Sequence, residues 1–320
     1  MSTLFLDRKD LKLSYEGQCI ALYEKGNKRG TVPLHMLNRV VIRGHVTLDT
    51  RLLGALADKN IGVLMLSGRN HRSVATLLGK PHNDSKRRVA QYACYLDSAE
   101  RLKLCRWLVI AKLRSQKRFL TAVLAQRPDL RLALLNAQAS INGLLEQLAV
   151  ENENLSVQRL RGFEGSGAAA YFKAFTQLFA PSLQFNSRQR RPPTDPVNAC
   201  LSLGYTLLHF DAVKACQESG LDPYIGFYHD PAFGRESLAC DFIEVLRSEL
   251  DNWVWQLFRE RVLRPENFSD DNGRTILNKA GRQRFYAEYE LFTKPVRRLL
   301  RRYGYLLSQR FVNQYANKDI

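Results

Sequence analysis

The sequence predicts an α+β protein, with a small β-rich N-terminal domain over residues 1–84 and a larger all-α domain over residues 85–320. Three observations lead there. Short runs rich in β-branched and aromatic residues, punctuated by Gly and Asn, fill the first quarter of the chain. A polar, basic stretch from Lys80-Pro81 to Lys86-Arg87-Arg88 then shifts the composition. Beyond it, apolar residues recur at three and four spacing almost to the end.

In the N-terminal domain, LFL (4–6), LKLSYE (11–16), CIALYE (19–24), RGTVPL (29–34) and RVVIRG (39–44) read as strands, with turns at Gly17 and Gly26-Asn27. DTRLLGALADKN (49–60) offers an Asp start and helical spacing through Leu52, Leu53 and Leu56. IGVLMLS (61–67) is a further strand. The expectation is a meander or small β-sandwich with one inserted helix. His35 and His45 carry no chemistry there.

The helical domain opens with residues 88–126, where apolar positions alternate with Arg101, Lys103, Arg106, Lys112, Arg114, Lys117 and Arg118 until Pro128 ends the segment. Residues 130–148 form a second helix. In LSVQRLRGFEGSGAAAYFKAFTQLF (155–179), Glu164 precedes a run of small residues that would let another helix approach closely. The glycines at 162, 165 and 167 do not make a nucleotide-binding loop, because no strand precedes them and no Walker lysine accompanies them. A Pro-rich basic linker (182–196) carries Arg188, Arg190 and Arg191. PVNACLSLGYTLLHFDAVKACQESG (196–220) is an amphipathic helix closed by a glycine. An acidic loop, FSDDNG (268–273), precedes a last long helix, on which Arg297/Arg301 and Arg298/Arg302 pair at i, i+4 as a basic stripe.

Between these lies IGFYHDPAFGRESLACDFIEVL (225–246). His229 sits on a turn with Asp230-Pro231, and helical spacing starts near Glu236 or Ser237. Asp241 and Glu244, three apart, share one helix face. An imidazole facing carboxylates on the next helix is a way to hold a divalent metal with open positions.

Charge narrows the partner. Forty-eight Lys and Arg stand against 31 Asp and Glu, a net +17, so a polyanion is expected, nucleic acid before a membrane surface. No run approaches the length of a membrane span, and MSTLFLDRKD lacks a signal peptide's apolar core. Six cysteines at 19, 94, 105, 200, 216 and 240 have no zinc-ligand spacing, which fits a reducing, cytoplasmic compartment.

Taken together, LRGFEGSGAAAYF around Glu164, DPVNACLSLGYTLL (195–208), GFYHDPAFGRESLACDFIE (226–244) and LNKAGRQRFYAEYE (277–290) resemble the CRISPR-associated integrase of the adaptation module, the Cas-one family. The resemblance runs over nearly the whole chain. It implies a metal site of Glu164, His229 and Asp241 holding Mg²⁺ or Mn²⁺, with Glu244 as a further acid and Tyr205 as a nearby hydroxyl. It implies homodimers, with the β-rich domain as the dimerisation module, a Cas-two partner, and insertion of short DNA fragments into the CRISPR array by 3′-hydroxyl transesterification. Arg235, Arg297, Arg298, Arg301 and Arg302 are the expected DNA contacts. One departure is Ser115 in KLRSQ (112–116), where the family pattern has Asn. The rival readings are a metal-dependent nuclease or transposon-type integrase acting on branched DNA, and a non-catalytic DNA-binding scaffold.

Overall fold

A computed structural model describes residues 2–8, 10–67, 73–80, 82–150, 155–189 and 192–316. The chain divides between Asn83 and Asp84 into two compact units.

The first unit is a two-sheet sandwich. Strands β1 (Ser2–Leu6), β5 (Leu37–Arg43), β7 (Gly62–Leu66) and β8 (Ser73–Leu77) form one sheet in the order β1-β5-β7-β8. Strands β2 (Leu11–Glu16), β3 (Cys19–Glu24), β4 (Asn27–Pro33) and β6 (Val46–Leu48) form the other, ordered β4-β3-β2-β6. Both hairpins of the second sheet close through two-residue loops, Gly17-Gln18 and Lys25-Gly26, whose residues all have positive φ. That is the loop whose twist matches the flanking strands. The first sheet is not a meander: β1 pairs parallel with β5, and β5 parallel with β7. Helix α1 (Thr50–Asp58), capped by Asp49, buries Leu52 and Leu56 in a core shared with Leu13, Ile20, Val40 and Val63. Strands β6 and β8 are additional to those expected.

The second unit is helical. The predicted 88–126 helix is two, α2 (Lys86–Leu96) and α3 (Ser98–Leu124), because Asp97 turns the chain and accepts from the amides of Ala99 and Glu100. Next come α4 (Arg131–Val150), α5 (Val157–Phe175), capped by Ser156, and α6 (Pro196–Glu218), capped by Asp195 with Pro196 at the first helical position. Helix α6 is buried around most of its circumference and packs on α7 (Ser237–Glu244), α8 (Arg247–Arg259) and α9 (Lys279–Phe311). The helical spacing that starts near Ser237 does not give one helix: a break at Val245-Leu246 separates α7 from α8. The expected acidic loop (268–273) is half strand: Phe268–Asp270 is β9, paired with β10 (Thr275–Leu277), and the remaining residues lie at the tip of that hairpin. Phe119 of α3 packs its ring against Tyr171 and Phe175 of α5 and Trp255 of α8, joining three helices in one aromatic core. All six cysteines are free thiols.

Candidate active site

The close approach expected beside Glu164 is made by α3. Gly167, one turn on from Glu164, is buried against Leu113, where a Cβ would collide with the leucine side chain. This contact brings Lys112, the residue before Leu113, to Glu164. The Lys112 ammonium donates to Glu164 Oε1 and to Glu244 Oε2, the latter at 2.6 Å. Lys112 and Glu244 are buried, and Glu164 is half-buried. On the far side of Glu244, Arg247 Nε donates to Oε1 at 2.7 Å. Burial alone would raise the Glu244 carboxyl, but Arg247 and Lys112 together outweigh it and bring it down to about 2.

His229 reaches the same place from the loop before α7. Its Nδ1 lies 2.7 Å from Asp241 Oδ1, while its Nε2 lies 3.8 Å from Glu244 Oε1. An ionised carboxylate has only lone pairs to offer, so Nδ1 carries the proton and Nε2 faces Glu244. The loop is held by side chains from several helices. Gln91 of α2 bonds the backbone of Asp222 and Ile225. Arg101 and Cys105 of α3 donate to the Phe227 carbonyl. Arg101 and Arg161 both grip Asp230 at 2.5 Å, and with Arg161 as the stronger influence they hold its carboxyl below the ordinary range. Gly226 lies so close to the backbone of Ser237 and Leu238 that no Cβ fits.

Asp241 departs from its expected role. Its Oδ2 accepts from the amides of Phe227 and Tyr228 at 2.7 and 3.1 Å, and its Oδ1 from the His229 amide and Nδ1. The carboxylate is buried behind the imidazole with its lone pairs taken, so it orients His229 and does not face the shared space. Glu244, the less secure expectation, is the helix α7 acid that stands with Glu164. Sequence spacing put both acids on one face but could not show which one the loop amides claim.

Tyr205 is also committed. Its hydroxyl donates to Asp251 Oδ1 at 2.5 Å, and Tyr171 donates to Oδ2 at 3.0 Å. Burial pushes the Asp251 carboxyl up to about 6 despite these two donors. The Arg247 guanidinium lies over the Tyr205 ring, 4.8 Å from its centroid, so the tyrosine touches the acid cluster through Arg247 and not through its own oxygen. Ser115, the departure from the family's Asn, hydrogen-bonds Ser248 of α8 at 2.5 Å. Arg235 is exposed on the loop. Arg297 is not on the basic surface: it bonds Glu290 and Thr293 and lies 4.0 Å from Asp211, leaving Arg298, Arg301 and Arg302 exposed. Arg190 and Arg191 lie outside the described residues.

Lys112, Arg247 and Asp251 escaped the sequence reading. Lys112 did leave a signal, since it shares the buried face of α3 with Cys105, Leu108 and Val109, where a lysine needs an acidic partner.

This arrangement belongs to a known group. A family model described as CRISPR associated protein Cas1 matches residues 4–291. A CRISPR-associated endonuclease Cas1 of Thermodesulfovibrio yellowstonii is 41% identical over 309 residues, covering 94% of each chain. Among solved structures, a Cas1 protein from Thermotoga maritima aligns with a TM-score of 0.84 over the whole of both chains at 21% identity. A casposase bound to integration product aligns with a TM-score of 0.82 at 20% identity, over 97% of this chain and 91% of that one. These two show the likeness of fold. With the family model spanning most of its length, the chain belongs to the Cas1 family of CRISPR-associated proteins.

Proposed function

We propose that this chain is a divalent-metal-dependent DNA integrase of CRISPR adaptation, acting as a homodimer with a Cas2 partner on duplex DNA. The observation that carries the reading is a pair of acids, Glu164 and Glu244, joined by one cation, with His229 Nε2 3.8 Å from Glu244 Oε1. Among the described residues no three His, Cys, Asp or Glu side chains are already grouped to hold a metal, and the Lys112 ammonium bonds both glutamates. The donor set nevertheless fits Mg²⁺ or Mn²⁺: two carboxylates that already share a cation, and an imidazole whose second nitrogen is turned outward by a carboxylate. Glu164, Glu244 and His229 would hold the ion, which when bound supplies Lewis-acid polarisation of a phosphate oxygen.

The reaction class is transesterification. A fragment's 3′-oxygen forms a bond to phosphorus as the bond from phosphorus to the repeat strand's leaving oxygen breaks. The attacking hydroxyl loses its proton and the leaving oxygen gains one. Such a step needs positioning and charge neutralisation more than a covalent protein intermediate. Asp241 keeps the imidazole in one orientation, and the Arg101–Asp230–Arg161 clamp keeps its loop in place. Water in place of the hydroxyl would give strand cleavage at the same residues, which accommodates the endonuclease name of the relative.

The test uses labelled fragment and repeat DNA with and without Mn²⁺. Glu164→Gln and Glu244→Gln are each expected to lower joining by about a hundredfold or more while leaving duplex affinity within about threefold. Asp241→Asn is expected to lose joining and also to destabilise the fold by roughly 2–4 kcal/mol, because an amide cannot accept at both ends. Wild-type joining in either glutamine variant overturns the site.

A further inference from the structure

We propose that Lys112 is a removable internal cation, whose ammonium competes with a divalent ion for the same oxygens of Glu164 and Glu244. The inference rests on the metal-binding reading above and adds to it the residue that must move. Two carboxylates facing one another in a buried place repel, and a cation between them relieves the repulsion. Lys112 fills that role: its ammonium bonds both, and its side chain is 9% exposed. An ammonium buried without such partners would be strongly disfavoured, so the acids and the lysine stabilise each other.

Among the described residues two cations hydrogen-bond Glu244, Lys112 and Arg247, and only one is placed to leave. Arg247 is planar, bonded to Glu244 Oε1, and stacked on the Tyr205 ring beside Asp251. Moving it would break a bond and a stacking contact together. Lys112 carries a compact charge on a flexible four-carbon stem, and among the described residues its bonds go to these two acids. A divalent ion replacing it would neutralise the glutamate pair fully, two positive charges against two negative, where the ammonium offsets only one. The freed ammonium would remain tethered beside the site, where a phosphate oxygen of bound DNA could receive it. Lys112 then sets metal affinity, because the site is open to the ion only in the fraction of molecules whose ammonium has withdrawn.

The experiment reads the lysine and the metal separately, on the full chain without DNA. Mn²⁺ binding is followed by electron paramagnetic resonance, and Lys112 accessibility by amine acetylation with mass-spectrometric readout. Exposed Lys103 serves as the internal reference. Lys112 is expected to acetylate slowly in EDTA, and about tenfold faster or more once Mn²⁺ saturates, with the same midpoint as the resonance signal. Lys112→Gln is expected to bind Mn²⁺ about tenfold tighter, since the competitor is gone. Stoichiometric Mn²⁺ binding with Lys112 still protected would overturn the displacement while leaving the metal site intact, as would unchanged affinity in Lys112→Gln. Absence of Mn²⁺ binding in the wild type would overturn both readings.

Discussion

His229 gives one ring nitrogen to Asp241 and has the other 3.8 Å from Glu244, and that division separates the two acids of α7. It was half legible in the sequence. An imidazole at a turn and two carboxylates three apart on the next helix announced a site. The assignment of Asp241 against Glu244 depended on amides 12 to 14 positions away, a tertiary fact that spacing does not carry. A second histidine shows how local partners act on charge. His209 Nε2 meets Glu236 Oε2 at 2.8 Å. Burial would push this imidazole down, but Cys240 and Glu236 prevail and raise it to about 9. The unfolded chain releases this proton near pH ~6.5, so between there and about 9 the folded state binds more protons. Stability from this pair is therefore complete below the lower value and lost as pH rises through the upper one. Melting temperatures measured from pH 7 to 9.5 should fall by a few degrees in the wild type, and His209→Gln should flatten that decline. Equal slopes in the two proteins would remove the pair from the account.

At the scale of elements, the loop before α7 is positioned by backbone contact, and the contact point is Gly226. A Cβ there would meet the Ser237 carbonyl carbon at 2.6 Å and its oxygen at 2.7 Å, groups that cannot rotate away. Gly226→Ala should push the loop off α7, loosen the three amides from Asp241, and lower stability by roughly 1–3 kcal/mol with loss of joining. Gly234 is the matched control. It has φ +67° and nothing within 4 Å, so Gly234→Ala should cost about 1–2 kcal/mol of local strain and leave joining within about twofold. A Gly226→Ala protein that joins at the wild-type rate would show that the loop does not depend on this contact. The same distinction explains which elements the sequence disclosed. The two hairpins of the second sheet were marked by Gly17 and Gly26, and α1, α5 and α6 by their apolar spacing. The parallel pairing of β1 with β5 was not, because it joins strands over 30 residues apart. Strand β6 is three residues long and offers no period to read. The break between α7 and α8 carries neither Pro nor Gly; a backbone turn at Val245-Leu246 interrupts a stretch whose apolar spacing runs straight through.

For the whole molecule, the net charge of +17 was the broadest clue and the least specific, because composition does not say which arginines face solvent. Helix α9 makes the point with four arginines that share one i, i+4 pattern. Arg297 turns inward to Glu290 and Thr293, near buried Asp211, with its side chain 12% exposed. Arg298, Arg301 and Arg302 are exposed. If this face meets DNA phosphates, each arginine that binds releases condensed counterions, and the dependence of log K on log[salt] steepens by about one unit per phosphate. The double variant Arg298→Gln, Arg302→Gln should therefore lower the slope for duplex binding by about 1–2 and weaken binding alike on repeat and unrelated sequence. Arg297→Gln should behave differently. It leaves the slope unchanged but removes the bonds to Glu290 and Thr293, and should cost roughly 1–3 kcal/mol of stability, because a charged hydrogen bond shielded from solvent is worth more than an exposed one. Measuring both variants by duplex titration over a salt series and by thermal unfolding separates surface from interior. A reduced slope in Arg297→Gln, or none in the double variant, would show that the exposed stripe is not where this chain meets the backbone of DNA.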